Sequence, residues 1–271
     1  MMEPLNIVVC IKPVPDSRYW DRLSLDPNTK VLRREGIPIV ISPLDRNAIE
    51  EALRIREAMG GKVTVISMGP PNTVEILAWA YALGVDDAVL LTDRAFAGAD
   101  TLATASALAS GIRKIGDYDL VLLGNESLDG STGQVGPQVA EFLGIPHVTG
   151  VEKIDFIVDG RLRVRSKIEF GYMVIETGLP VTLAVTREIN DPRVPPVFGA
   201  LWATEKEAKQ WTADDVDVDR ATIGLDGSPT YVPEVANIEV QRRGEVLEGE
   251  PAEIARQLLE KLRADGVLPD A

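Results

Sequence analysis

Residues 119–137 read Asp-Leu-Val-Leu-Leu-Gly-Asn-Glu-Ser-Leu-Asp-Gly-Ser-Thr-Gly-Gln-Val-Gly-Pro. Asp119 to Leu123 is a short apolar run without polar alternation, the pattern of a strand buried on both faces. Gln134 to Leu143 carries a helical pattern with Pro137 in its first turn, where proline is tolerated. A buried strand that passes through a glycine-rich loop into a helix is the repeating unit of a parallel α/β sheet.

The same alternation runs outward from this stretch. Asn6 to Ile11, Lys62 to Ser67 and Asp87 to Leu91 are short apolar strands of the same kind. Between them, Asp45 to Met59 sets Ala48, Ala52 and Ile55 on one helical stripe. Asn72 to Leu83 opens with an Asn-x-x-Glu capping pattern (Asn72, Glu75), and Thr101 to Ile115 is alanine-rich, which permits close packing on a sheet. The expected fold is a Rossmann-like parallel sheet with flanking helices and right-handed crossovers. Ligands of such sheets sit beyond the carboxyl ends of the strands, near the topological switch point. The loops to watch are therefore 12–16, 42–45, 67–71 and 124–133.

Other segments depart from this rhythm. Ser24 to Ile41 reads as an insertion, with Asp26-Pro27-Asn28 able to join two short strands. After Gly150 the runs 151–158, 161–170 and 173–175 alternate more, and Asp159-Gly160 is a hairpin turn, so a hairpin-rich edge is expected. Leu179 to Thr186 is a further strand. Arg187 to about Gly249 is rich in Pro, Asp and Glu and shows little periodicity, which reads as an arm that orders on a partner. Pro251 to Ala264 recovers a helical stripe of Ile254, Leu258, Leu259 and Leu262. The expected organisation is a nucleotide-binding α/β domain over 1–186, with its insertion at 24–41, and an extended C-terminal arm over 187–271.

Composition narrows the function. The chain has 271 residues, 45% of them hydrophobic, enough for a sizeable core. With 28 basic and 42 acidic residues its formal charge is −14, which repels a phosphate backbone and argues against nucleic acid. A basic patch on another protein remains a suitable partner. One cysteine, Cys10, and one histidine, His147, leave no intrachain disulfide and argue against a Cys/His zinc site or most catalytic triads. No apolar run approaches the ~20 residues of a membrane span. Met1-Met2-Glu3-Pro4 does not open like a signal peptide, so the expected setting is cytoplasmic.

The segment Gly124 to Pro137 carries the chemistry. Its glycines allow tight turns and close backbone approach to a ligand. The first amides of the helix, at Gly133 to Gly136, lack intrahelical partners and favour an anion, with Ser131 and Thr132 adding hydroxyls. A phosphate or pyrophosphate seat is one reading; an ordinary strand-to-helix loop with an Asp/Ser cap is the other. The spacing matches neither Gly-x-Gly-x-x-Gly nor a Walker loop, and no lysine stands ready for phosphoryl transfer. At 67–71, Ser-Met-Gly-Pro-Pro would let Met68 pack against a flat ring, or is a simple turn. At 42–45, Ser-Pro-Leu-Asp places Asp45 as N-cap of the next helix. Lys12-Pro-Val-Pro-Asp16 is a stiff, extended segment.

Together these loops resemble the β subunit of electron transfer flavoproteins. The resemblance runs from about Leu5 to Arg193. It rests on Val-Cys-Ile-Lys-Pro-Val-Pro-Asp (9–16), Ser-Pro-Leu-Asp with Ala-Ile-Glu-Glu-Ala-Leu-Arg (42–54), Ser-Met-Gly-Pro (67–70) and Ala-Leu-Gly-Val-Asp-Asp-Ala (82–88). The loop at 122–137 and Asn-Asp-Pro-Arg (190–193) complete it. It implies a heterodimer with an FAD-carrying α subunit, and an adenine nucleotide in this chain. That nucleotide is AMP in simple carriers and a second FAD in electron-bifurcating members, where NADH is the hydride donor. The run Asp-Gly-Ser-Thr-Gly-Gln-Val-Gly-Pro is closer to the bifurcating members, which favours FAD. Carried over, the site places adenine and ribose near Cys10, Ser42, Leu44, Asp45 and Met68. The phosphates lie over Gly124, Asp129, Gly130, Ser131, Thr132, Gly133, Gln134 and Val135.

The resemblance also implies a recognition loop over 187–202, in which Asn190, Pro192, Arg193 and Val197 dock on a partner dehydrogenase or quinone oxidoreductase. Two departures stand out. Ala203-Thr-Glu-Lys-Glu-Ala-Lys replaces a lysine-rich run, and Lys167 stands where the family often has an acidic residue facing the α-subunit flavin. A nucleotide-hydrolysing or adenylating α/β enzyme is the competing reading; the missing Walker lysine and metal-ligand cluster count against it.

Overall fold

The computed structural model describes residues 4–22, 24–25, 32–33, 36–232 and 244–269. The strands are β1 (Leu5–Cys10), β2 (Pro13–Pro15), β3 (Ser24–Leu25), β4 (Leu32–Arg33), β5 (Ile39–Ile41), β6 (Gly61–Met68), β7 (Asp87–Leu91), β8 (Leu120–Gly124), β9 (His147–Val158), β10 (Arg161–Ile168), β11 (Gly171–Gly178), β12 (Val181–Val185) and β13 (Lys209–Trp211). The helices are α1 (Pro43–Met59), α2 (Val74–Leu83), α3 (Thr101–Ile115), α4 (Val135–Leu143), α5 (Val197–Ala203) and α6 (Pro251–Ala264).

Nine strands form one sheet in the order β11-β10-β9-β12-β8-β1-β6-β7-β13. From β9 to β13 all neighbours pair in parallel; β10 and β11 extend the β9 edge by antiparallel pairing. The β9–β10 turn holds Asp159 at φ 50° and Gly160 at φ 68°, as the Asp-Gly pair required. The apolar strands are explained by burial on both faces. Along β1, Ile7 and Val9 enter a core beneath α1 and α2, while Val8 and Cys10 enter a second core beneath α3 and α4. Small residues bring α3 close: a Cβ on Gly111 would lie 2.6 Å from Ile66 Cδ1. The chain steps from β1 to β6 and β7 on one side and returns through α3 to β8 on the other. The switch point thus falls at the carboxyl ends of β1 and β8, which are sheet neighbours.

Three local expectations need correction. Asp45 does not cap α1: Pro43 takes the first helical position, so Ser42 is the N-cap and Asp45 lies in the first turn. The Asn72–Glu75 capping box does not form, because Pro70 and Pro71 lead into a 3₁₀ turn over Pro71–Thr73 and α2 starts at Val74. Residues 187–232 do build structure. Two elements, α5 and β13, lie within them, and Ala213, Val216 and Ile223 join the α3-side core. One compact unit accordingly runs from Met1 to Glu234, past the boundary expected at 186, and a second covers Val235–Ala271. In the insertion, β3 pairs with β4 and β5 with β2, both antiparallel; the Asp26-Pro27-Asn28 turn lies outside the described residues.

The second unit contains α6. Lys261 Nζ meets Glu245 Oε1 at 2.7 Å, and Leu258 and Leu259 of its apolar stripe are exposed. No helix among the described residues is long and apolar enough to cross a membrane.

Candidate functional site: a cavity at the switch point

The turn after β8 is held by its own serines. Ser131 N donates to Ser127 O at 2.9 Å, and Gly130 N donates to Ser127 Oγ at 3.3 Å. Ser131 (φ 46°) and Gly133 (φ 63°) adopt left-handed backbone, which curls the chain into α4. The amides from Thr132 to Gly136 donate to no acceptor among the described residues. A helix start with free amides attracts anions through its N–H groups and its dipole.

These amides border a cavity of about 930 Å³. Cys10 and Asp45 line it with Leu123 and Gly124; Met68 to Pro71 form one side, residues 92–94 and 96–101 a second, and residues 125–127, 129–130 and 132–136 a third. Of the residues expected at the site, Cys10, Asp45, Met68, Gly124, Asp129, Gly130, Thr132, Gly133, Gln134 and Val135 line it. Ser42, Leu44 and Ser131 do not. Ser131 Oγ donates back to Ser127 O at 3.2 Å. Ser42 is buried, its N–H donates to Lys12 O, and its hydroxyl has no partner among the described residues. Leu44 packs beneath Gly124, where an added Cβ would lie 2.7 Å from Leu44 Cβ.

Two parts of the site escaped the sequence reading. Lys12 crosses from the end of β1 to the turn, and its Nζ meets Asp129 Oδ1 at 2.6 Å and Ser127 Oγ at 3.3 Å. Burial pushes the Asp129 carboxyl up, but the Lys12 ammonium outweighs it and the net shift is downward, so Asp129 is ionised. The second part is the wall 92–101. Asp93 accepts from Ala95 N and Ala213 N. Asp100 caps α3 at Leu102 N and Ala103 N through Oδ1, and takes Thr230 N and Oγ1 through Oδ2. Arg94 lines the cavity with no ion pair among the described residues. Thr101 Oγ1 and Gln134 Oε1, 3.0 Å apart, tie this wall to the anion-facing turn.

Cys10 is buried, which together with the Asp45 charge pushes its thiol up to about 12. It is a neutral packing group, not a nucleophile.

The residues expected to dock a partner divide. Asn190 and Arg193 face α1. Asn190 Nδ2 donates to Asn47 O at 3.1 Å and Glu51 Oε2 at 2.9 Å. Arg193 bridges Glu50 at 2.7 Å and Glu57 at 2.5 Å. Burial alone would raise the Glu50 carboxyl, but Arg193 and Arg54 hold it below its ordinary value. Pro192 is half-buried between them. Only Val197 points outward, beside Val194, Phe198 and Leu201, each more than half exposed. Behind this patch α5 packs on α2, with Trp202 edge-on to Tyr81. Lys167 pairs with Glu188. Arg193→Ala leaves Glu50 without its main partner, and the expected cost is about 1–3 kcal/mol. Denaturant titration checks this, and an unchanged midpoint would refute it.

An electron transfer flavoprotein domain matches residues 29–221. The chain belongs to the electron transfer flavoprotein β-subunit family. It is 49% identical over 262 residues to the electron transfer flavoprotein subunit beta of Clostridium acetobutylicum, covering 96% of this chain and 99% of that one. It is 41% identical over 266 residues to the caffeyl-CoA reductase-Etf complex subunit CarD of Acetobacterium woodii, covering 97% and 100%. Protein FixA of Azorhizobium caulinodans is 43% identical over 238 residues, covering 85% and 84%. Within the family's matched span lie both the 124–136 turn and the 187–203 segment with its apolar patch.

Proposed function

We propose that this chain pairs with an FAD-carrying α subunit and holds a second FAD in the switch-point cavity, passing electrons between partner dehydrogenases and acceptors. One observation carries the nucleotide: five consecutive amides, Thr132 to Gly136, find no acceptor among the described residues and border a concave site. The residues present suit such a group. Gly133 leaves space at the turn, since an added Cβ would come no closer than 3.6 Å to Asn125 O. Lys12 brings a cation to the same turn. The cavity, about 930 Å³, is at the upper end for small-molecule sites, ~300–1,000 Å³, which suits a dinucleotide better than AMP.

In this reading the Thr132–Gly136 amides take the diphosphate, and Gly130 and Gly133 keep side chains out of its way. Met68 and neutral Cys10 pack against the adenosine. The wall 92–101, fixed by Asp93 and Asp100, shields the site from water. FAD, when bound, supplies one- and two-electron redox chemistry; the protein supplies position and field. NADH as donor, and a bifurcating role, accord with the same pocket. The apolar patch of Val194, Val197, Phe198 and Leu201 is the surface for a partner dehydrogenase or quinone oxidoreductase. The printed name of the Acetobacterium relative, an Etf subunit in a complex with a reductase, accords with such a docking role.

The test is cofactor stoichiometry. Co-expressed with an α subunit of the family, the heterodimer should release two flavins per dimer on acid extraction. One flavin with one AMP would instead assign the structural-AMP carrier. A preparation with no nucleotide bound to this chain would overturn the proposal.

A further inference from the structure

The reading above treats the cavity as a nucleotide site; the inference here rests on it and concerns how the cavity is held in shape. Asp45 is 6% exposed and lies in the first turn of α1. Its Oδ2 accepts Lys12 N at 2.8 Å and its Oδ1 accepts Gly124 N at 2.9 Å. One carboxylate thereby bridges the loop after β1 and the last residue of β8, the two strands that flank the switch point. Both carry parts of the anion seat: Lys12 reaches Asp129, and Gly124 opens the turn to Gly136.

We infer that ionised Asp45 is the positioning residue of the nucleotide site, and that its protonation slackens the seat. A carboxylate accepts at both oxygens; a carboxylic acid carries a donor on one of them. Protonation thus sets an O–H against either Lys12 N–H or Gly124 N–H, and one loop loses its tie. Such a proton is within reach near neutrality. Burial drives the Asp45 carboxyl up, the two amide donors and the Lys12 cation only partly counter this, Asp129 adds to it, and the result is about 7. The other titratable or charged groups facing Asp45 are Cys10, Lys12 and Asp129. Cys10 stays a thiol and Asp129 stays ionised across pH 6–8. The ionised form is the competent one, so affinity rises with pH.

The experiment uses the heterodimer freed of its nucleotide, with FAD and AMP as probes, titrated calorimetrically from pH 6 to pH 8. If only ionised Asp45 binds, FAD affinity rises about tenfold over this range, and binding at pH 7 releases about half a proton, read from buffers of different ionisation enthalpy. Asp45→Asn, which keeps one acceptor but sets a donor against the second amide, should bind more weakly at pH 8 and lose the slope. Any titration of a ligand phosphate is common to both proteins and drops out of the comparison. Wild-type binding that is flat in pH, that weakens as pH rises, or that releases no proton would overturn the inference even if the variant fails to fold. So would an Asn variant with the wild-type affinity and slope. Failure of the wild type to bind either probe at any pH would instead strike the nucleotide reading itself.

Discussion

A Gly133→Glu heterodimer is expected to be purified folded and without nucleotide in this chain. The residue sits at φ 63°, so the fold bears a left-handed non-glycine residue, at about 1–2 kcal/mol. Sterically the site is open, because the nearest atom to an added Cβ is Asn125 O at 3.6 Å. The carboxylate would, however, lie among the Thr132–Gly136 amides, where the phosphates belong. Two unit charges 4 Å apart repel by about 4 kcal/mol at an effective dielectric of 20, which is roughly a thousandfold in affinity. Gly133→Gln separates the two causes, since it keeps the bulk and the backbone strain without the charge. Nucleotide content and FAD affinity should fall in the order Gly, Gln, Glu. Full occupancy in the Glu variant would mean that the phosphates sit elsewhere.

Gly124→Ala should damage the fold itself. An added methyl would lie 2.6 Å from Asp45 Oδ1, 2.7 Å from Leu44 Cβ and 2.9 Å from Asp45 N. All three atoms belong to the first turn of α1, which can retreat only by leaving the sheet. Overpacking of this kind costs about 1–3 kcal/mol, and disturbing the bond from Gly124 N to the buried carboxylate adds about 1–3 more. At ~2–4 °C per kcal/mol for a chain of this size, the melting temperature should fall by roughly 4–24 °C. Gly178→Ala is the matched control. Neither Gly124 nor Gly178 has positive φ, but the nearest atom to an added Cβ on Gly178 is Gly160 O, at 3.9 Å. Equal melting temperatures for the two variants would remove the steric account.

The parallel core was legible because burial on both faces leaves a plain signature. Asn6–Ile11 and Asp87–Leu91 have no polar alternation, and Thr101–Ile115 coincides with α3. What stayed hidden depends on adjacency in three dimensions. Lys12 looked like the start of a stiff connector, and only the pairing of β1 with β8 brings it to Asp129. The wall 92–101 has no motif; its sole signal is that it follows a strand on the carboxyl side of the sheet, the rule that picked the other loops. The elements β13 and α5 are three and seven residues long. The first is a Lys-Gln-Trp edge. The second turns its apolar residues to solvent, the reverse of the pattern that marks a packed helix. Asn190 and Arg193 were expected to face outward, and the carboxylates of α1 that draw them inward are some 140 positions away in sequence.

Helix α1 does two jobs along its length. Its first turn fixes the cavity through Asp45; the next three turns grip Asn190 and Arg193 through Asn47, Glu50, Glu51 and Glu57, just ahead of the exposed α5. It works as a ruler. A redox protein that settles on the α5 patch inherits a separation from the cavity that the visitor does not choose, and tunnelling rates fall exponentially with separation. On the docking proposed above, the span of α1 would set how far such a visitor stands from the cavity, whichever side chains the tip of the patch presents to it.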